Sequence, residues 1–263
     1  MRNRILWIAL SVMLFTGSII LVGYFVWANG YMGPVSESVA TTTYGEFTYP
    51  TLTDPVIVPQ TEQGETVETT EYVSPIDFDE LHEFNPDIIG WLYMSSPDIS
   101  LPILRSPDDD SFYLYHNAER AYDRQGALFV EHQYNSDDFS DMCTVIYGHR
   151  MSNGSMFGTM QATMSEEGFF DSEQYIVIYQ QNCSRIYQIF ATIPRDNSHI
   201  LYYNDFTDES VYDSFIRDVY SQTGVDVNLV QDARPEYGDH LLILSSCLWG
   251  DRTSRYLVIA REI

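Results

Sequence analysis

Hydrophobic and polar residues follow three different rhythms along this chain. From Ile5 to Trp27, 23 consecutive residues carry no charge, and only Ser11, Thr16, Gly17, Ser18 and Gly23 interrupt the apolar run. A helix rising about 1.5 Å per residue spans roughly 34 Å over that length, enough to cross a bilayer. Trp7 at one end and Tyr24 and Trp27 at the other suit the two interfaces. Arg2 and Arg4 precede the run, and neither Lys nor Arg recurs before Arg105. The positive-inside rule then predicts a cytoplasmic N-terminus with the rest of the chain outside. The run is longer than the core of about 7–15 residues in a cleaved signal peptide, and no A-x-A-like site follows it. The expectation is therefore a single-pass cell-membrane protein whose N-terminal helix, within residues 1–29, stays as an anchor.

From Gly30 to Pro75 the apolar residues lose any period, and Thr, Glu and Pro dominate, as in TTTYGEFTYPTLTDP and TEQGETVETTEY. Acidic side chains without counter-charges resist collapse, so residues 30–75 read as a flexible tether spanning about 40 Å. The competing reading is that Val56-Ile57-Val58 adds a strand to the domain that follows.

From residue 76 to 263 the pattern becomes that of a folded domain. Leu81 and Phe84 share a helical face behind Asp77 and Asp79, which suit a helix N-terminus, and Asn85-Pro86 ends the segment. Short apolar runs bounded by turn residues predict strands over Gly90–Met94, Leu101–Leu104, Ala127–Glu131, Thr144–Gly148, Tyr175–Tyr179, Arg185–Thr192, His240–Ser246 and Arg255–Ala260. Eight such strands predict a mainly β domain, a barrel or a sandwich. The predicted helices beyond the first are Met156–Met160, Ser165–Phe170 and the longer Asp208–Thr223. In the last, Val211, Phe215 and Val219 share a face, and the helix is inserted between two late strands.

Composition narrows the function. The formal net charge is −25, and all 13 basic residues are Arg. A surface this acidic repels phosphate backbones, so nucleic acid is not an expected partner. Without lysine, Schiff-base chemistry has no residue to run on. Cys143, Cys183 and Cys247 make an odd count with no C-x-x-C pair and no clustered His, so the expectation is no metal site and at least one free thiol.

Three segments bring chemistry to strand ends. Val145-Ile146-Tyr147-Gly148 runs into His149, Leu241-Leu242-Ile243-Leu244-Ser245-Ser246 delivers Cys247, and Arg255 opens a last apolar strand through Ala260. A reactive group at a strand tip sits on the rim of a rigid scaffold. Cys, His and Arg supply a nucleophile, a proton carrier and a fixed cation for a developing oxyanion. His149 precedes Cys247 by 98 residues, the reverse of the papain-like order. The Q-A-C-x-G-like context of caspases is missing.

These segments resemble the sortases, specifically class B sortases, in which a Y-G-H strand end, an L-S-T-C-like strand end and an Arg opening the final strand recur together. Asn85-Pro86-Asp87-Ile88-Ile89-Gly90-Trp91-Leu92-Tyr93, Phe112-Tyr113-Leu114 and Gly126-Ala127-Leu128-Phe129-Val130 follow in the order that the family pattern has. Two positions depart from it: Ser246 stands where Thr is commoner, and Asp110 stands where Asn is expected. The resemblance covers residues 76–263 and implies an eight-stranded sortase-type β-barrel with an N-terminal helix and a helix inserted between late strands. It also implies a cysteine transpeptidase working through a thioester, with His149, Cys247 and Arg255 as catalytic residues and Leu114, Ser245 and Ser246 as substrate contacts. No cofactor is implied. The implied partners are secreted proteins bearing a C-terminal sorting motif, cleaved after Thr, and an amine of a cell-wall precursor or a pilin lysine as acceptor. Other readings stay open: a hydrolase on the same scaffold, and a membrane-tethered adhesin with an unreactive cysteine.

Overall fold

The computed structural model describes residues 58–59 and 70–263. Val58–Pro59 (β1) and Thr70–Glu71 (β2) pair antiparallel as a sheet of their own, while Val56 and Ile57 of the competing strand reading lie outside the described residues. The expected membrane anchor at Ile5–Trp27 lies outside the described residues. The single-pass membrane placement is corrected on what the structure does describe: no helix among those residues is long and apolar enough to cross a membrane.

The domain begins with α1 (Phe78–Phe84), whose N-cap Asp77 accepts the Glu80 N–H at 3.0 Å, satisfying one of the first-turn donors that a helix leaves unpaired. Then come β3 (Ile88–Ser95), β4 (Asp98–Leu104), β5 (Leu128–Phe129), β6 (Cys143–Tyr147), α2 (Met160–Met164), β7 (Tyr175–Tyr179) and β8 (Ser184–Asp196). The short α3 (Ile200–Tyr203) and the longer α4 (Glu209–Ser221) follow, and β9 (Asn228–Leu229), β10 (Leu241–Leu248) and β11 (Asp251–Glu262) complete the chain.

The sheet runs β11-β10-β6-β5-β4-β3-β7-β8, and β8 pairs back onto β11 from Ser254↔Asp196 to Glu262↔Tyr187. Eight strands thus close into a barrel with no free edge between them. β9 pairs outside the ring with β8. β10 runs parallel to β6, and β4 to β5; the other neighbours in the ring are antiparallel.

Strand alternation sorts the side chains onto two faces. Leu242, Leu244, Ile146, Tyr256 and Val258 point into the barrel with Leu92, Ile103 and Phe157. Their neighbours Leu241, Ile243, Val145, Leu257 and Ile259 point outward and are covered by Tyr212, Phe215, Ile216 and Val219 of α4. Both faces are buried, which is why these strands read as continuous apolar runs. A third cluster packs α1 against Trp91, Leu104, Tyr113 and Phe129.

The helix expected over Met156–Met160 forms instead at Met160–Met164, because Gly154 (φ 87°) and Met156 (φ 56°) take the left-handed conformation that a right-handed helix excludes. The helix expected over Ser165–Phe170 is cut in the same way at Gly168 (φ 83°), leaving one 3-10 turn at Phe169–Asp171. The strand expected over Ala127–Glu131 is paired only at Leu128–Phe129.

Candidate active site

β10 is buried on both faces as far as Ser246, and Cys247 is its first half-exposed residue. Alternation puts Cys247 on the outward face with Leu241 and Ile243, beyond the part that α4 covers. Directly opposite on β11 stands Arg255, whose Nη1 donates to the Cys247 Sγ at 3.9 Å. Opposite Arg255 on its other side is Arg195 of β8. The register breaks immediately after Cys247, where Trp249 and Gly250 (φ 86°) make the turn into β11.

His149 reaches the same place from β6. The parallel ladder ends at Tyr147↔Ser245, and the Gly148 N–H donates to the Ser245 carbonyl at 3.1 Å. Two residues past Tyr147 is His149; two past Ser245 is Cys247. Gly148 allows the strand to pass here, since a Cβ at that position would lie 2.5 Å from Leu128 and 2.6 Å from Phe157. The His149 Nε2 lies 2.8 Å from the Leu114 carbonyl oxygen. A carbonyl only accepts, so that nitrogen carries the proton, and Nδ1 is left to exchange one. Leu114 is itself held by close approach: Gly126 (φ 61°) crosses it where a Cβ would meet the Leu114 oxygen at 2.7 Å. The Phe157 N–H closes the other side, donating to the His149 carbonyl at 3.0 Å.

Behind these residues lies a network that the sequence does not announce. Glu131 and His199, 68 positions apart, meet at 2.8 Å. The His199 Nδ1 accepts the Tyr202 N–H at 3.0 Å as the N-cap of α3, so its Nε2, on the side of Glu131, carries the proton. Tyr147 also hydrogen-bonds Glu131. Burial pushes the Glu131 carboxyl up, an effect that His199 opposes. Burial, then the Glu131 charge, push the Tyr147 phenol up as well. Arg195, Ser198, His199, Ile200, Tyr203 and Asn204 line a cavity of about 270 Å³ one strand over from Arg255. Neither Glu131 nor His199 carries a local motif, and only the barrel brings them together.

The remaining expected residues fall as follows. Leu114 contributes its carbonyl to His149. Ser245 is buried on the face of Cys247, whereas Ser246 points into the barrel opposite Tyr256. The Asp110 Oδ1 lies 2.5 Å from the His132 Nδ1. Cys143 is buried, and burial, then Asp141, push its thiol well above the ordinary range. Cys183 is exposed in the turn between β7 and β8, with its Sγ 3.3 Å from Gln180 Oε1. Among the described residues no group of three His, Cys, Asp or Glu is placed to hold a metal.

Comparison with known proteins bears on the family and the fold. No protein-family model matches the chain. Sortase B of Listeria monocytogenes is 27% identical over 173 residues, 64% of this chain and 65% of the relative, a little under two thirds of its length. A Bacillus anthracis crystal structure described as similar to sortase B superposes with a TM-score of 0.62 at 26% identity, covering 80% of this chain and 89% of that one. A Staphylococcus aureus sortase B–substrate complex superposes with a TM-score of 0.60 at 22% identity, covering 71% and 84%, and speaks for the fold alone. The closed eight-stranded barrel matches the sortase structures. The relatives place this chain in class B of that family.

Proposed function

We propose that this protein is a cysteine transpeptidase that cleaves a C-terminal sorting motif of secreted proteins and passes the acyl group to an amine of the cell wall. The carrying observation is the Cys247–Arg255 pair, with His149 at the end of the adjoining parallel ladder. The sulfur of Cys247 attacks the scissile carbonyl carbon as thiolate, and the carbonyl π electrons move onto oxygen. Arg255 favours the thiolate and then holds the oxyanion. On collapse the C–N bond breaks, and the departing amine takes a proton from His149 Nδ1. The thioester is then attacked by the acceptor amine, which gives its proton back to His149, and Cys247 leaves with the C–S electrons. Leu114 fixes the imidazole tautomer through its carbonyl. Ser245, on the face of Cys247, is placed to border the bound peptide, and the cavity beside Arg195 extends the same face.

The test is single-turnover cleavage of sorting-motif peptides with and without acceptors. Amide product and faster acyl-enzyme breakdown with oligoglycine or a diaminopimelate-type amine support wall anchoring. The same response confined to a pilin lysine turns the reading to pilus assembly. Rates and products indifferent to all three amines overturn transfer in favour of hydrolysis.

A further inference from the structure

The turn after Cys247 and the loop after His149 are joined by a contact that the proposed mechanism does not use. The guanidinium carbon of Arg150 stands 5.4 Å from the centroid of the Trp249 ring. Arg150 follows His149 by one residue, and Trp249 follows Cys247 by two. Among the described residues no carboxylate pairs with Arg150, so the indole face is the partner of its charge. Each half is tied down behind the contact. Arg150 forms a bridge with Met156 at the base of its loop. The Trp249 N–H donates to the buried Gln161 Oε1 at 2.7 Å, and the Gln161 Nε2 donates to Asp226 at 2.9 Å. Trp249 itself is 43% exposed and fills no core. β6 and β10 stop pairing at Tyr147↔Ser245, and the Gly148 N–H reaches no further along β10 than the Ser245 carbonyl. Past that point no backbone ladder fixes His149 relative to Cys247.

We propose that Arg150 and Trp249 form a cation–π clasp that sets the spacing of His149 and Cys247, which makes Arg150 and Trp249 positioning residues. The proposal rests on the transpeptidase reading for its turnover arm only. Full-length Trp249→Ala and Arg150→Gln are each expected to lower kcat for peptide cleavage roughly 2- to 30-fold, the range that a cation–π contact spans between exposed and desolvated settings, with KM unchanged. The double variant is expected to be no slower than the slower single one, since both remove the same contact. Trp249→Phe and Arg150→Lys, which keep a ring and a cation, are expected to recover part of the rate.

The substrate-free arm is the pH profile of iodoacetamide alkylation at Cys247, resolved from Cys183 by peptide mapping. Loss of the clasp is expected to shift that profile part of the way toward the one given by His149→Ala. Multiplicative effects in the double variant, a raised KM with unchanged kcat, or a Trp249→Ala alkylation profile coincident with wild type would each overturn the clasp. Failure of the wild type to turn over any sorting peptide removes the transpeptidase reading and leaves the alkylation arm to decide the clasp alone.

Discussion

Cys143 and Cys247 stand at opposite ends of the same pair of strands and on the same outward face, yet their environments are opposite. Cys143 opens β6 beside Leu241, sealed in the cluster that α4 covers, and its thiol is held protonated by burial. Cys247 ends β10 beyond that cover, half-exposed, with a guanidinium on its sulfur. The strand chemistry is shared; what differs is which side chains close over each end. A thiol that cannot ionise is a small core residue, while one beside a cation and open to solvent has the setting that the proposed nucleophile needs.

The sharpest way to break this comparison is to remove each thiol in turn. Cys247→Ala is expected to abolish peptide cleavage and thioester trapping, whereas Cys143→Ala keeps turnover; mass spectrometry of the acyl-enzyme reads both. Arg255→Ala is expected to cost about 3–4 kcal/mol in transition-state stabilisation, or about 100- to 1000-fold in rate, as for loss of one oxyanion donor. Lys at this position would recover only part, lacking the planar fork. An Arg255→Ala enzyme as fast as wild type would remove Arg255 from the site.

The sealed end can be opened instead. Phe215→Ala on α4 is expected to cost about 3–5 kcal/mol of stability as a buried aromatic truncation. Alkylation of Cys143 should accelerate in step, with Cys247 little changed, as followed by denaturant melts and site-resolved labelling. Equal acceleration at both thiols would show that α4 does not distinguish them.

At the open end, Gly148→Ala forces a Cβ against Leu128 and Phe157. Overpacking of this kind costs about 1–3 kcal/mol, and the displaced strand end should slow cleavage by carrying His149 with it. Wild-type stability and rate in that variant would mean that the close approach is not needed.

The smallest effect is a pH slope. Cys143 holds its proton more tightly folded than unfolded, so its contribution is complete below the ordinary thiol value of about 8.5 and is lost as pH rises above it. Between pH 8 and 9 the wild type should lose about 0.7 kcal/mol more than Cys143→Ala does. Parallel slopes in chemical denaturation would show that Cys143 ionises in the native state.

Much of the barrel is legible in the chain because its strands are buried on both faces, and Tyr175–Tyr179 appears with the same bounds in sequence pattern and structure. The strand-end positions of His149, Cys247 and Arg255 were legible for a different reason: each ends or opens an apolar run, so a polar residue at that point stands out. The placement of α2 was not legible, because a positive φ at Met156 is set by the loop's closure onto His149 and leaves no trace in the residue type. Nor was the Glu131–His199 pair, whose members share no motif.

By itself, then, the sequence determined the strand segments, the covering helix behind Asp208 and the three residue types at the strand ends, since periodicity and capping act within a few residues of one another. Only the tertiary structure decided which thiol is sealed, which ring nitrogen of His149 is free and how Arg255 meets Cys247. Those depend on barrel closure between β8 and β11, on the register of β10 with β11 and on the Leu114 carbonyl 35 positions away from His149. Such contacts are set by packing between distant segments, which no local pattern encodes.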